Sequence, residues 1–444
     1  MPPPSLAADD ANKNNGFAAE PPPDEAKMPG RNRNEASGAG VPAAGDRALT
    51  DDLARGTNQT GVRLYNERLV LSLIRRHESL PKAEIARLTG LSPQTITVIM
   101  RALEADGLVV KRSRQRGKVG QPSVPFALNP DGALSLGVKI GRRSTDVLLM
   151  DFIGTVRAQT NDPYRYPRPG AVIAFIKDSI ARLTADVPAG RIAGTGVAMP
   201  FELWNWEEEV GAPRRAMQGW RDLDVRAEIA AMSPWPVHLC NDATAACAAE
   251  LVFGNRGHYL DFLYVFVGWF VGGGVVLNGS LFPGRTGYAG AVGPLPVPVP
   301  GKEGALRFRQ LIHSASIYTL ERQVIAAKGR LRHGDLPADW TDIEPEVEAW
   351  VETVAADLAL AAVSAMAVID FEAVLIDGSF PDAIRARVVT RVRERLADFD
   401  RQGLPPFSVD EGSIGSTARA IGGACLPLLA NFARDRDVLF KETT

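Results

Sequence analysis

Between Leu69 and Leu128 the apolar positions fall first in helical and then in strand registers. Leu69, Val70, Leu73 and Ile74 form one stripe and predict a helix with a single buried face. Ile85, Ala86 and Leu88 mark a short second helix that ends at the turn Thr89-Gly90-Leu91-Ser92. Ser92 suits an N-cap and Pro93 the first helical position, and Ile96, Ile99, Met100 and Leu103 then recur at i, i+3, i+4 and i+7. The opposite face of this third helix carries Gln94, Thr95, Thr97, Val98 and Arg101. Amide, hydroxyl and guanidinium groups there suit base edges or phosphates, and a threonine methyl or valine suits thymine. After Gly107, Leu108 to Val110 reads as a strand and Val124 to Leu128 as its return. The loop between them holds Lys111, Arg112, Arg114, Arg116 and Lys118 with no acidic residue. Two helices joined by a glycine turn and followed by a basic hairpin predict a winged helix-turn-helix. Ser92, Gln94, Thr95, Thr97 and Arg101 would enter the major groove, and the five wing cations would lie on phosphates or in the minor groove. The alternative is a small helical domain with a solvated charge run.

From Ala133 onward strands alternate with glycine turns and apolar helices. Leu134 to Ile140, Thr145 to Asp151 and Thr155 to Thr160 predict a meander, followed by a helix over 171–183, a strand over 194–198, a strand ending at Cys240 and an alanine-rich helix through Leu251. The order then repeats in outline. Strands over 262–267 and 272–277 precede a long buried helix over 351–369, a strand over 373–376 and a terminal helix over 416–429. Two such halves predict a two-lobed α/β domain with a cleft between the lobes, although the halves share no close sequence repeat.

Composition changes this picture mainly at the front. Met1 to about Arg55 is Pro, Ala, Gly, Asn and Asp with two proline triplets, too poor in large apolar residues to offset its ordering entropy. The expected organisation is therefore a disordered tail over 1–58, the winged helix over 59–130 and the large domain over 131–444. The net charge of −2 excludes little, since local charge can differ from the total. Cys240, Cys247 and Cys425 lack metal-ligand spacing and point to reduced thiols in a cytoplasm. No signal pattern opens the chain and no uninterrupted apolar run reaches the roughly 18 residues a bilayer span needs.

Several motifs, in order, resemble the ROK family of repressors and sugar kinases, specifically its transcription-regulator branch. They are TGLSPQTIT, GQPSVPFALNP, NDATAACAAELVFG, VGGGVVLNG followed by GYAGAVG, and GSIGSTARAIGGA, covering about Tyr65 to Leu429. The resemblance implies a multidomain α+β and α/β protein, in which a winged helix-turn-helix precedes a two-lobed, actin-like and ribonuclease-H-like sugar-kinase fold.

The same resemblance raises the question of whether catalysis survives. Where family kinases carry Asp-x-Gly-Gly-Thr, this chain has Lys139, Gly141, Arg142 and Arg143, so the metal-linked carboxylate is missing and a cation replaces a glycine. Their second phosphate-facing turn, Gly-Thr-Gly, reads Gly268-Trp269-Phe270. Asn241 and Asp242 match the pair whose Asp serves as general base, though such a pair at a helix start also suits N-capping. The sugar-binding Glu and zinc-binding His of Gly-Glu-x-Gly-His are absent from Gly290-Ala291-Val292-Gly293-Pro294, and no cysteine falls in the stretch from Pro296 to Arg309. A further sugar Glu aligns near Ile312, beside His313. Of the aromatic residues, Trp204, Trp206, Trp220 and Trp235 fall where relatives cover the pocket, and packing is the expected role for them.

These readings combine into a cytoplasmic, non-catalytic, sequence-specific transcriptional regulator of carbohydrate-related genes, a repressor by expectation. It would act as a homodimer or dimer of dimers on a pseudo-palindromic operator in double-stranded DNA, with no cofactor, metal or membrane. The candidate effector contacts are Asn241, Asp242, Lys139, Arg142, Arg143 and His313, for a sugar or, through the three cations, a sugar phosphate. The rivals are an active sugar kinase with a DNA-binding extension and a scaffold that senses no ligand.

Overall fold

In a computed structural model of the chain, the residues described are 59–113, 124–206, 211–254, 259–301, 305–329, 336 and 340–433. The first helix, α1 (Gln59–Arg76), turns Val70, Leu71 and Ile74 inward, with Leu69 and Leu73 only partly covered. Strand β1 (Leu80–Pro81) leads to α2 (Lys82–Thr89) and α3 (Pro93–Ala105). Gly90 ends α2 at φ 70° with open space around it, so glycine is needed there for backbone conformation alone. The Ser92 side chain accepts the Thr95 N–H at 3.1 Å, and Ile96, Ile99, Met100 and Leu103 are buried, as the periodicity requires. Strands β2 (Val109–Lys111) and β3 (Pro125–Leu128) form the wing base, and β1 completes a three-stranded sheet in the order β1-β3-β2.

The larger region contains two five-stranded sheets of one topology. The first comprises β4 (Leu134–Ile140), β5 (Ser144–Asp151), β6 (Val156–Pro163), β7 (Ile192–Met199) and β8 (Val237–Asn241), ordered β6-β5-β4-β7-β8. Its helices are α4 (Pro169–Thr184), α5 (Arg214–Gln218), α6 (Val225–Ala230) and, directly after Asn241, α7 (Asp242–Phe253). The second sheet comprises β9 (Phe262–Val267), β10 (Val271–Leu277), β11 (Ser280–Phe282), β14 (Ala373–Gly378) and β15 (Ser408–Glu411), ordered β11-β10-β9-β14-β15. Each sheet has two antiparallel pairings followed by two parallel ones, so the duplication expected from the strand and helix order is present in the topology. The hairpin β12 (Pro296–Pro300) and β13 (Leu306–Gln310) lies outside both sheets. The remaining helices are α8 (Ile317–Lys328), α9 (Glu344–Met366), α10 (Asp382–Arg395) and α11 (Ala418–Phe432).

By length and composition alone α9 could cross a membrane. Its burial accounts for its apolarity: Val347, Trp350, Val351, Val354 and Leu358 lie in the core of the second lobe. Its charged first turns are held by α10, with Arg387 on Glu344 at 2.8 Å and Arg391 on Glu352 at 2.8 Å.

Helices α7 and α11 pack against one another between the two sheets, α7 on β9 and β10 and α11 on β4 and β7. At their contact Gly422 of α11 meets the Ala245 carbonyl and the Ala246 nitrogen of α7, while Gly423 faces Gly196 of β7 and Ala424 faces Gly137 of β4. Backbone meets backbone at Gly422, and the starts of the two helices lie together, with Arg419 of α11 3.3 Å from Asp242 of α7.

Candidate functional site

Two candidate sites follow from this frame. On the surface of α3, Gln94, Val98 and Arg101 are exposed, and Thr95 and Thr97 are half-exposed. Val98 is 61% exposed and shares its helix face with Gln94 and Arg101. Local bonds occupy the hydroxyls. Ser92 Oγ and Thr95 Oγ1 are 2.9 Å apart, and Thr97 Oγ1 donates to the Pro93 carbonyl at 2.8 Å. The groups still free to rotate onto bases are Gln94 and Arg101. At the wing base Arg112 is exposed, but Lys111 pairs with Glu104 at 2.6 Å and reaches over the Phe126 ring, a partner that the basic run did not announce. Arg114, Arg116 and Lys118 lie outside the described residues.

The second site is a cavity of about 950 Å³ between the lobes, lined by Lys139, Arg142, Arg143, Asn241, Asp242 and Arg419 among others. Lys139, Arg142 and Arg143 come from the β4–β5 turn, where Gly141 N–H bonds to the Ser144 carbonyl and Tyr164 Oη donates to the Gly141 carbonyl at 2.6 Å. Each cation meets a group of the protein itself. Lys139 Nζ donates to Ser144 Oγ at 2.8 Å and Asp146 Oδ2 at 2.7 Å. Burial, with the nearby Arg419 charge, lowers the Lys139 pKa against the opposing pull of Asp146. Arg142, only 6% exposed, stacks its guanidinium 3.8 Å from the Phe270 ring centroid and 5.0 Å from that of Trp269. Arg143 lies 4.9 Å from the Trp269 centroid and 3.6 Å from Glu321 of α8.

These two turns, one from each lobe, are therefore partners: Arg142 and Arg143 of the first stack on Phe270 and Trp269 of the second. Burial raises the Asp146 pKa, but the Lys139 charge and bonds from Lys139, Asn161 and Ser144 outweigh it and hold the carboxyl below its ordinary range. Its stabilisation is present above the unfolded value of about 4 and is lost as pH falls through the lower folded value. Asp146→Asn should accordingly lower the wild-type melting temperature near neutrality and converge with it in acid, which a pH series of thermal melts would show.

Asn241 caps α7, its side chain accepting the Ala243 N–H at 3.0 Å. The capping role is thus realised by Asn241, and both Asn241 and Asp242 still face the cavity. Asp242 Oδ2 is held by Arg419 Nη1 at 3.3 Å, while Arg419 Nη2 approaches Ser379 Oγ at 3.3 Å. Sequence reasoning missed Arg419, and the only signal for it was a cation two residues beyond the GSIGST turn.

His313 is a correction. It ends a single 3₁₀ turn and is exposed, whereas the neighbouring Ile312 and Gln310 line the cavity. Among the tryptophans, Trp220 is buried and donates to the Pro167 carbonyl at 2.9 Å, Trp235 donates to the Ala189 carbonyl at 2.9 Å, and Trp204 packs on the first-lobe core. Trp206 differs, lining the cavity 4.1 Å from the Phe270 centroid. Glu202, another lining residue, has its backbone in the left-handed region at φ 54°, and its carboxylate accepts from Asn205 Nδ2 at 2.9 Å; sequence alone gave no reason to single it out. No group of three or more potential metal-ligating side chains occurs among the described residues.

Comparison with known proteins yields matches to both regions. The ROK family model matches residues 135–428, and a model described as winged helix-turn-helix DNA-binding matches 63–110. The xylose repressor of Bacillus subtilis is 25% identical over 249 residues, 55% of this chain and 63% of the repressor. A ROK family transcriptional regulator, described as a homologue of the E. coli MLC protein, superposes with a TM-score of 0.60 at 21% identity, over 84% of this chain and 97% of that one. A ROK family glucokinase from Streptomyces griseus, solved with glucose and AMPPNP, superposes with a TM-score of 0.52 at 19% identity, over 66% and 99%.

Proposed function

The chain belongs to the ROK family, and from that premise we propose that it is a sequence-specific DNA-binding repressor of carbohydrate genes whose kinase-like domain senses a sugar without phosphorylating it. The observation that carries this reading is α3, a capped helix with a buried apolar face and with Gln94, Val98 and Arg101 turned outward. Arg101 would pair with a guanine edge and Arg112 with phosphate. The full chain would act as a homodimer or higher assembly on a two-fold site, in the compartment that holds the chromosome.

The cleft supports sensing rather than turnover. Phosphoryl transfer needs a carboxylate-held metal and open backbone amides at the phosphates, and here Lys139, Arg142, Trp269 and Phe270 occupy those turns. The cations also favour a neutral sugar over a sugar phosphate, because Lys139, Arg143 and Arg419 each already face a carboxylate, Asp146, Glu321 and Asp242 respectively. A phosphate would have to displace one of them. Asn241, Asp242 and Glu202 would take sugar hydroxyls, with Trp206 against the ring. Pentoses such as xylose are the first candidates, in keeping with the name of the Bacillus relative.

The test is capture of genomic fragments by the purified protein, followed by footprinting. A protected two-fold site that disappears in Arg101→Ala is expected. Equal protection by wild type and Arg101→Ala would remove α3 as the reading element.

A further inference from the structure

The two helices that open at the cleft both end against the winged helix. Asp242 and Arg419, which pair across the cavity wall, are the first and second residues of α7 and α11 respectively. At about 1.5 Å per residue the helices then run roughly 18 and 22 Å. At the far end of α7, the Phe253 ring lies 5.5 Å from the Arg75 guanidinium. At the far end of α11, Phe432 packs edge-on against Phe152 with centroids 4.9 Å apart. Arg75 sits 4.9 Å above that same Phe152 ring and donates to the Phe152 carbonyl at 2.7 Å. Burial lowers the Arg75 pKa to about 10, which leaves the group charged at neutral pH. One residue of α1 therefore touches the end of α7 directly and the end of α11 through Phe152. Arg68, two turns earlier in α1, donates to the Ala433 carbonyl just past α11.

We propose that α7 and α11 form a paired lever that carries the state of the cleft to the DNA-binding domain, with the Asp242–Arg419 contact at one end and Arg75 at the other. The proposal rests on the roles given above to the cleft and to the winged helix. Its physical content is competition followed by rigid transmission. A ligand hydroxyl donating to Asp242 competes with Arg419 for the carboxylate. Arg419 has alternatives: its Nη2 already approaches Ser379, and its Nε has no hydrogen-bond partner among the described residues. Release of the contact frees the first turn of α11 from that of α7. Beyond that turn the helices meet backbone to backbone at Gly422 and Ala245, with no side chain between them to absorb a shift. A displacement at the cleft is thus passed along the helices to Phe253 and Phe432, and so to Arg75. The winged helix is also tied to the first lobe by Arg191, whose Nη1 approaches the carbonyls of Asp106 and Gly132 at 3.4 and 3.3 Å. That contact holds the end of α3 to the first lobe.

Hydrogen exchange on the full chain, with neither DNA nor ligand present, tests the lever directly. Arg419→Gln and Asp242→Asn break the cleft contact from its two sides, so both should speed exchange of the 59–76 amides by on the order of tenfold. In an Arg75→Met background, or Arg75→Lys if the methionine variant does not fold, that acceleration should vanish. Exchange in α9, packed in the second-lobe core and touching neither end of the lever, should stay unchanged, which separates transmission from general loosening. Changes confined to 242–253 and 418–432 in both variants would overturn the proposal, as would an α1 response that persists without Arg75. The regulator reading is judged separately by footprinting of the wild type, so each can fail alone.

Discussion

Raising salt from about 50 to about 200 mM is expected to weaken binding of the wild-type protein to its captured duplex on the order of a thousandfold, provided that most of the candidate cations reach phosphate. Each protomer offers the wing cations Lys111, Arg112, Arg114, Arg116 and Lys118, and a dimer doubles that number. Each phosphate neutralised releases condensed counterions, and the slope of log K against log salt counts them. The structure refines the count, because Lys111 enters the free protein already paired with Glu104. Both side chains are solvent-exposed, so the pair is weak in itself, yet its carboxylate is a repulsive neighbour for DNA. Glu104→Gln should therefore tighten binding several-fold and steepen the slope, whereas Arg112→Ala should flatten it by about one. Fluorescence anisotropy across a salt series reads all three. A slope near zero for the wild type would show that the wing does not meet phosphate.

Those predictions draw on the part of the chain that was most legible. The winged helix was readable because its signals are local: a 3.6-residue period in α3, a capping serine, and a glycine that the turn needs at φ 70°. The strands and helices of the lobes with a clear apolar pattern, such as β4, β5, β9, β10 and α4, were readable for the same reason. Elements without a clean period were not. The β12 strand, Pro-Val-Pro-Val-Pro, resembles a loop in composition, and α10 carries five arginines, one of which, Arg385, is buried against Asp377. The long helix was expected from Val351 but begins at Glu344, because its acidic first turns are stabilised by α10 and that pairing has no local signature.

The cleft shows the limit most clearly. Lys139, Arg142 and Arg143 stood out as cations in an unexpected place, but their meaning lay in partners far along the chain. Phe270 and Trp269 stack on the arginines, and Arg419 holds Asp242 from 177 residues away. His313 failed in the opposite sense: proximity in sequence to a lining residue said nothing about which way a single 3₁₀ turn would face it.

Gly422→Ala is expected to destabilise the protein by about 3 kcal/mol and to lower its melting temperature by several degrees. A Cβ at position 422 would fall on the Ala245 carbonyl, closer than such atoms approach in folded proteins, and only 2.9 Å from the Ala246 nitrogen. Overpacking is often relieved by rotating a neighbouring side chain, but here the obstacle is the backbone of α7. Relief would require the two helices to separate. That movement is resisted on the outer side of each helix, by β4 and β7 behind α11 and by β9 and β10 behind α7. The penalty should therefore lie at the upper end of the range for overpacked cores. Gly170→Ala is the matching control. It lies in the first turn of α4 with open space where its Cβ would fall, so alanine there should be neutral or slightly stabilising through its lower unfolded-state entropy. Equal melting temperatures for the two variants would mean that α7 and α11 can part without loss, and a pair that parts freely could not transmit a displacement from Asp242 and Arg419 to Arg75.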